Sequence, residues 1–374
     1  MANVFDYLKW RGDLTFTQDP PNCVDALIFS ALAYIPYGGR PEEMPRTPIT
    51  LKEAAEDYFA MENYEALARS KMDIELLHAA VKTTRFGLNK IFMYCAQFIP
   101  EQDTQFAAMT FLLDDGSLFL AFRGTDNSLV GWKEDFNMSF QQTVPAQRLA
   151  VQYVRDVAAE YSAPMRIGGH SKGGNLAVFA AARSSPMLQR QILEVYNNDG
   201  PGFTDYMMGD PGYLNMVPRI RTLIPQSSVI GMLLEHEEPY TVIRSKTVGL
   251  LQHDLYSWEV LGREFIPVQQ ITESSRLVDA TIKTWFAQMT NQERSQLVDV
   301  MFSLLGAGGV ECALDICHPK NIRTYLKTLS SDENMRRILS TEFQSLMEAA
   351  KKTKAQLEAA EEAETVLIPA HEDK

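Results

Sequence analysis

The sequence of 374 residues predicts an α/β fold, in which helices cover both faces of a mainly parallel sheet and a helical C-terminal appendage follows. Two observations lead to this prediction. Strand-like apolar segments alternate with helical ones between residues 90 and 244, which is typical of parallel strands joined by helices. Residues 168–174 contain Gly-X-Ser-X-Gly, with a strand-like segment before them and an Ala-rich helix after them.

The apolar pattern predicts a mostly helical region over residues 22–82, which begins with an apolar helix near Cys23. Further helices are predicted over residues 132–140, 146–161 and 172–183. The Asp-Asp-Gly turn that ends at Gly116 joins two of the strands into a hairpin. The predicted strands cover residues 90–99, 105–113, 117–123, 165–169, 192–197, 219–224 and 240–244.

From about Thr272 onward the pattern is purely helical. Thr290 and Ser330 each precede a glutamate by three residues, so each is predicted to cap a helix. Nothing in these helices carries chemistry. We therefore divide the chain into a domain of residues 1–265 and a helical appendage with a charged tail, residues 266–374.

Composition excludes several classes of function. A net charge of −13 without a basic tract argues against nucleic acid and anionic membranes as partners. No stretch reaches the roughly 18 apolar residues of an integral membrane segment, and the first residues lack the apolar run of a secretory signal, which predicts a cytoplasmic protein. No metal or cofactor is expected, since even His318 beside Cys317 lacks a second ligand pair, and we expect free thiols at Cys23, Cys95, Cys312 and Cys317.

Ser171 lies at the centre of the Gly-X-Ser-X-Gly segment, between the predicted strand and helix. In this setting a sharp turn lifts a nucleophilic serine hydroxyl clear of the sheet. Gly169 and Gly173 flank the serine because a Cβ atom at either position would strike the strand or the helix. The motif therefore predicts Ser171 as a nucleophile.

A nucleophilic serine needs a histidine base, and in α/β-hydrolases that histidine follows the serine along the chain. His371 falls in the charged tail and His318 in the appendage, so neither is favoured. His236 lies in a charged, surface-like run, whereas His253 follows the last predicted strand. We favour His253 as the base, with His236 as the alternative.

The base needs a carboxylate that orients it. Asp199 follows the first strand after Ser171, at the sheet edge where it could reach the histidine. Alternatively, Asp199 could bond only the backbone of its own Asp-Gly turn. The other carboxylates left open are Asp205, Asp210, Glu235 and Asp254.

Two backbone donors are expected to stabilise the oxyanion of the tetrahedral intermediate. One is the N–H of Lys172, which follows the nucleophile at a helix N-terminus. The other comes from Thr125, in the loop that follows an earlier strand, which could supply an N–H and a hydroxyl. The Lys172 side chain is expected to point outward, so that only its backbone contributes.

The segments Phe-Arg-Gly-Thr-Asp-Asn (122–127), Gly-Trp-Lys-Glu-Asp (131–135) and Gly-His-Ser-Lys-Gly resemble the class 3 lipase branch of the α/β-hydrolases. More closely, the chain resembles a bacterial family of cytoplasmic, class 3 lipase-like proteins, whose opening segment corresponds to residues 6–13. The resemblance covers about residues 1–260. It implies an α/β-hydrolase fold, Ser171 as nucleophile, Thr125 as oxyanion residue and a histidine near the end of the hydrolase region.

The chain departs from the class 3 pattern at the acid. In class 3 lipases the acid lies on a later strand-exit loop, which here covers residues 223–231 and contains no carboxylate. Asp199 instead takes the position used by pancreatic-type lipases. The resemblance therefore supports Asp199 but leaves open that the acid is missing or comes from elsewhere.

The leading interpretation is a serine hydrolase that cleaves an ester of a lipid or other hydrophobic acyl substrate, with the apolar run 229–234 as a possible acyl pocket. A thioesterase, an amidase or an acyltransferase would use the same residues. The alternative from another class is a catalytically silent hydrolase-fold protein that binds a ligand or partner through its helical appendage.

Overall fold

The computed structural model describes residues 2–37, 47–312 and 315–367. His371 and the end of the charged tail lie outside the described residues, as do residues 38–46 of the predicted helical region. The chain forms two compact units. The first comprises Met1–Ile271 with Glu311–Leu314, and the second comprises Thr272–Val310 with Asp315–Lys374.

Short helices make up the described N-terminal part of the first unit, as predicted for residues 22–82. An additional helix at residues 4–11 was not predicted, although its signal is present. The Asn3 side chain accepts a hydrogen bond from the N–H of Phe5, and Asp6 accepts one from the N–H of Asn3, which is a capping box. These helices are α1 (Val4–Arg11), α2 (Cys23–Leu32), α3 (Leu51–Ala60), α4 (Tyr64–Leu67), α5 (Lys71–Ala80) and α6 (Thr84–Gly87).

The described residues form an eight-stranded sheet in which the strands lie in chain order. Its strands are β1 (Ile49–Thr50), β2 (Lys90–Ile99), β3 (Thr104–Leu112), β4 (Leu118–Phe122), β5 (Met165–His170), β6 (Ile192–Asn198), β7 (Ile220–Pro225) and β8 (Tyr240–Ile243). Pairing is antiparallel from β1 to β4 and parallel from β4 to β8. The predicted strands are confirmed, and β1 is an additional edge strand.

Helices cover both faces of this sheet. Along β4, Phe119 and Ala121 face the core that contains α2, while Leu118 and Leu120 face the other core, because successive strand side chains point to opposite faces. Helices α8 (Pro145–Glu160) and α9 (Lys172–Ala182) contribute to that second core. The remaining helices of the first unit are α7 (Leu129–Asn137), α8 (Pro145–Glu160), α9 (Lys172–Ala182), α10 (Pro186–Gln189) and α11 (Pro211–Met216).

Helix α7 begins three residues before its predicted start. The Ser128 hydroxyl accepts a hydrogen bond from the N–H of Gly131, and this cap starts the helix at Leu129. After β8, a two-stranded ribbon of β9 (Val260–Leu261) and β10 (Glu264–Phe265) completes the first unit.

The second unit is helical, as predicted, with α12 (Glu273–Ala287), α13 (Asn291–Leu305), α14 (Pro319–Ser331) and α15 (Glu333–Leu367). The capping box at Thr290 is present. The prediction for Ser330 was wrong, because Ser330 lies in the last turn of α14 and its hydroxyl donates to the Lys327 carbonyl. Asp332 instead accepts the N–H of Met335 at the start of α15. No described helix is both long and apolar enough to cross a membrane.

A fully buried ion pair joins the N-terminal helices. Arg85 donates to the Asp25 carboxylate from Nε (2.7 Å) and from Nη2 (2.6 Å). The Tyr7 hydroxyl donates to the same carboxylate at 2.8 Å, and Arg85 Nη1 donates to the Asp19 carbonyl at 3.0 Å. Both oxygens of the Asp25 carboxylate and the three guanidinium nitrogens of Arg85 therefore have hydrogen-bond partners, as the burial of two charges requires.

Removal of the Arg85 charge should destabilise the protein, because it leaves the Asp25 carboxylate buried without its cation. We expect Arg85→Met to lower the free energy of unfolding by about 3–5 kcal/mol, measured by urea denaturation. The control is Lys9→Met, which breaks the exposed Lys9–Asp6 pair and should change that free energy by less than about 1 kcal/mol. Equal urea midpoints for the two variants would contradict this prediction.

Candidate active site

Ser171 lies on a strained turn between β5 and α9. Its φ is 59° and its ψ is −132°, in a backbone region that residues with a side chain rarely adopt. A Cβ atom at Gly169 would lie 2.1 Å from the Gly173 carbonyl carbon, and one at Gly173 would lie 2.2 Å from the Phe122 oxygen. The strand–turn–helix predicted from the motif is therefore present, and glycine is required on both sides of it.

The loop after β4 packs against this turn. A Cβ atom at Gly124 would lie 2.4 Å from the His170 carbonyl oxygen and 3.2 Å from Ser171 Cβ. On the other side, the N–H of Ser171 donates to the Asn198 carbonyl at 3.0 Å, at the end of β6. The Arg-Gly-Thr loop and the end of β6 thus both lie beside the serine.

Asp199 and His253 are brought together across 54 residues of sequence. Asp199 follows β6 in a left-handed conformation with φ 53°, and its side chain is buried. Its Oδ2 lies 2.7 Å from His253 Nδ1, whose N–H donates to the carboxylate. With Nδ1 as the donor in this contact, the neutral tautomer of His253 has its lone pair on Nε2, the nitrogen with which a general base takes a proton.

The loop that would carry the class 3 acid holds Asp199 instead. Asp199 Oδ1 accepts hydrogen bonds from the Ser228 hydroxyl at 2.5 Å and from the N–H of Gly231 at 3.2 Å. Both donors lie within residues 223–231, and Gly231 is part of the short 3₁₀ turn Ile230–Met232. The alternative in which Asp199 bonds only its own turn is therefore contradicted.

The other candidates considered from sequence have other partners or positions. Asp210 caps α11 and pairs with Arg183, and the Asp254 carboxylate accepts the N–H of Tyr256. Asp205 is exposed, Glu235 pairs through its backbone with Phe203, His236 contacts Glu238, and His318 caps α14.

His170 is a neighbour of the site that sequence reasoning did not single out. Its Nε2 lies 2.9 Å from the His253 carbonyl oxygen, and its Nδ1 lies 3.1 Å from the Tyr34 hydroxyl. A carbonyl only accepts, so Nε2 carries the proton and the Tyr34 hydroxyl donates to Nδ1. Burial lowers the pKa of His170 well below its ordinary value, with the charges of His253 and Arg69 adding to the effect. A neutral His170 thus holds the backbone of His253, and only its place in the motif could have indicated this.

Thr125 lies against the carboxylate of Asp135, in the Gly-Trp-Lys-Glu-Asp segment. The Thr125 hydroxyl donates to Asp135 Oδ2 at 2.6 Å. Neither the N–H of Thr125 nor that of Lys172 donates a hydrogen bond to another described residue. Burial raises the pKa of Asp135 to about 6, although the Lys172 charge and the Thr125 hydrogen bond oppose that rise.

The prediction that the Lys172 side chain points outward was wrong. The ammonium group is buried, 3.0 Å from Glu134 Oε2, 2.9 Å from the Gln105 carbonyl and 3.7 Å from Asp135 Oδ1. Glu134 is also fully buried, so each charge needs the other for its burial to be tolerated. The side chain therefore ties α9 to α7 and β3.

The sheet, the strained serine and the helix after it define the α/β-hydrolase fold. The sequence matches the family described as Mbeg1-like over residues 80–303, more than half of the chain. The chain therefore belongs to the Mbeg1-like family. None of the curated proteins with which the sequence was compared matches it.

Three solved structures are similar to the chain at low identity. A Rhizomucor miehei lipase–propeptide complex is 19% identical over 41% of this chain and 57% of that chain, with a TM-score of 0.33. A mutant form of MDLA from Penicillium cyclopium is 15% identical over 60% of this chain and 81% of that chain, with a TM-score of 0.36. M37 lipase is 11% identical over 82% of this chain and 98% of that chain, with a TM-score of 0.34. This chain thus spans little more than half of the Rhizomucor chain.

The raised pKa of Asp135 predicts a pH-dependent effect on stability. The folded protein binds a proton at Asp135 more tightly than the unfolded chain does, so this group destabilises the fold as the pH rises from 3.8 to about 6. We expect Asp135→Asn to have a free energy of unfolding about 1 kcal/mol above that of the wild type at higher pH, with no difference below pH 3.8. Urea denaturation of both proteins across this pH range measures the difference in the free energy of unfolding.

Asp156→Asn, on an exposed position of α8, is the matched control and should show no such pH-dependent difference. A wild type that is as stable as Asp135→Asn at high pH would contradict the prediction.

Proposed function

We propose that this protein is a serine hydrolase that cleaves an ester of a lipid or other hydrophobic acyl substrate. Ser171 is the nucleophile, His253 the base and Asp199 the acid. The observation that carries the proposal is the 2.7 Å contact between His253 Nδ1 and the buried Asp199 carboxylate. Asp199 directly follows Asn198, whose carbonyl accepts the N–H of Ser171, and the backbone of this serine has the strained conformation of a nucleophile elbow.

The proposed reaction proceeds in two halves. Ser171 Oγ attacks the ester carbonyl while His253 Nε2 takes its proton, and Asp199 stabilises the imidazolium that forms. The tetrahedral intermediate then collapses, His253 returns the proton to the leaving alcohol, and an acyl-enzyme remains. In the second half, water attacks the acyl carbon and gives a proton to His253. The second tetrahedral intermediate then collapses, and His253 returns that proton to Ser171 Oγ as the acid is released.

We assign the binding of the oxyanion to the backbone N–H groups of Lys172 and Thr125. Neither N–H group has an acceptor among the described residues. The N-terminus of α9 also favours negative charge next to Lys172. The Thr125 hydroxyl is already bonded to Asp135. We therefore assign that hydroxyl a role in holding the loop, and the N–H groups the role of binding the oxyanion.

Exposed apolar side chains support a hydrophobic substrate. Val248, Leu250 and Leu251 precede His253 in the chain and are 65–75% exposed. On α7, Trp132 and Phe136 are also exposed, on either side of Asp135 in sequence. An apolar acyl chain could remove such side chains from water, which favours its binding.

The apolar run 229–234 supports the pocket interpretation less well. Met232 packs with Ile224 and Val242 in a small buried core, so this part of the run belongs to the protein interior. The proposed site residues all lie within residues 1–265, which we propose as the catalytic domain, with residues 266–374 as the appendage.

We expect a fluorophosphonate probe to label Ser171 and the protein to hydrolyse p-nitrophenyl esters of fatty acids. Ser171→Ala should abolish both reactions, because each requires the Ser171 hydroxyl as the attacking group. Labelling is measured by intact-protein mass, and a panel of acyl chain lengths, with thioester and amide analogues, identifies the preferred substrate class. A wild-type protein that is neither labelled nor active would overturn the proposed function.

The acid is tested by a matched pair of substitutions. Asp199→Asn should lower kcat by about 10⁴-fold, because an amide at this position favours the wrong tautomer of His253. Asp254 is exposed and directly follows His253 in the chain. Asp254→Asn should leave kcat within about twofold of the wild type. Equal losses in the two variants would remove Asp199 from the triad.

A further inference from the structure

A second carboxylate–histidine pair lies next to the loop that holds Asp199. His236 Nδ1 is 3.1 Å from Glu238 Oε1, and His236 Nε2 is 3.0 Å from the Gly231 carbonyl oxygen. The Glu238 side chain is fully buried and that of His236 is 9% exposed. This ring is therefore held at both nitrogens away from bulk water.

Both partners of the His236 ring are hydrogen-bond acceptors. A backbone carbonyl can only accept. Glu238 already accepts from the hydroxyls of Thr222 and Tyr213. Burial alone would raise the pKa of the Glu238 carboxyl, but the contact with His236 and these hydroxyls hold it below its ordinary value, so the carboxyl is ionised. A neutral ring has only one N–H and would leave one acceptor facing a lone pair, whereas an imidazolium satisfies both.

The Gly231 peptide connects this ring to the candidate triad. Its carbonyl accepts from His236, while its own N–H donates to Asp199 Oδ1 at 3.2 Å and lies 3.0 Å from the Ser228 oxygen. A Cβ atom at residue 231 would lie 2.3 Å from Asp199 Oδ1, so this peptide packs directly on the acid. A small displacement of residue 231 would therefore displace the carboxylate that orients His253.

We propose that His236, held as an imidazolium by Glu238, is a positioning residue that fixes the Gly231 peptide against Asp199. It touches neither substrate nor the reacting atoms, and it acts through that peptide. A cationic donor makes a stronger hydrogen bond than a neutral one and polarises the peptide whose N–H meets the acid. This inference rests on the proposed triad.

The protonation state is tested by nitrogen NMR of protein labelled with ¹⁵N-histidine at neutral pH. We expect a histidine signal with both ring nitrogens protonated that disappears in His236→Gln and changes in Glu238→Gln. A His236 signal with the pattern of a neutral tautomer would overturn the proposal. This readout does not depend on activity, so it stands whether or not the protein proves to be a hydrolase.

The positioning role is tested by the downfield Nδ1–H proton of His253 and by the rate of fluorophosphonate labelling of Ser171. In His236→Gln the downfield proton should shift or broaden, and labelling should slow by about 10- to 100-fold. His78→Gln is the matched control, because His78 stacks on Phe59 at an exposed position of α5 and should change neither readout. Urea denaturation shows whether each variant is folded. If His236→Gln does not fold, the same two readouts are taken on Glu238→Gln.

The outcomes separate the two proposals. Absence of labelling in the wild type overturns the hydrolase function, while the His253 proton still reports whether His236 positions Asp199. If the wild type is labelled, and folded His236→Gln has the same labelling rate and the same His253 proton signal as the wild type, only the positioning role is overturned.

Discussion

The close approach of α9 to the sheet is the constraint on which the rest of the site depends. At Gly169 and Gly173 there is no space for a side-chain carbon between β5, the start of α9 and the end of β4. The helix can therefore begin directly after the strand, and the backbone of Ser171 adopts a positive φ. This strain is maintained because a sheet and a buried helix surround the turn on both sides.

Three buried carboxylates near this turn each have a partner. Lys172 meets Glu134, His253 meets Asp199, and His236 meets Glu238. An unpaired charge at any of these places would be strongly destabilising, so each partner also determines where the other side chain lies. These partners fix the positions of side chains near Ser171, and such fixed positions are what electrostatic stabilisation of a transition state would require in the proposed hydrolase.

Local patterns predicted most of the fold. Short, near-continuous apolar segments located the strands, because each strand of a covered sheet buries side chains on both faces. Capping chemistry explains the errors. Ser128 started α7 earlier than its apolar pattern indicated, and Asp332 rather than Ser330 capped α15. Several polar residues near a helix start can serve as caps, and only the backbone path decides which one does.

The sequence by itself determined the turn at Ser171, since its glycines, strand and helix are all within a few residues of each other. It also placed Asp199 at the end of a strand beside that turn. Only the tertiary structure decided that His253 meets Asp199, that Lys172 turns inward to Glu134, and that His236 is held between two acceptors. The physical reason is that these contacts join residues far apart in the chain or depend on burial, and neither property is contained in local spacing.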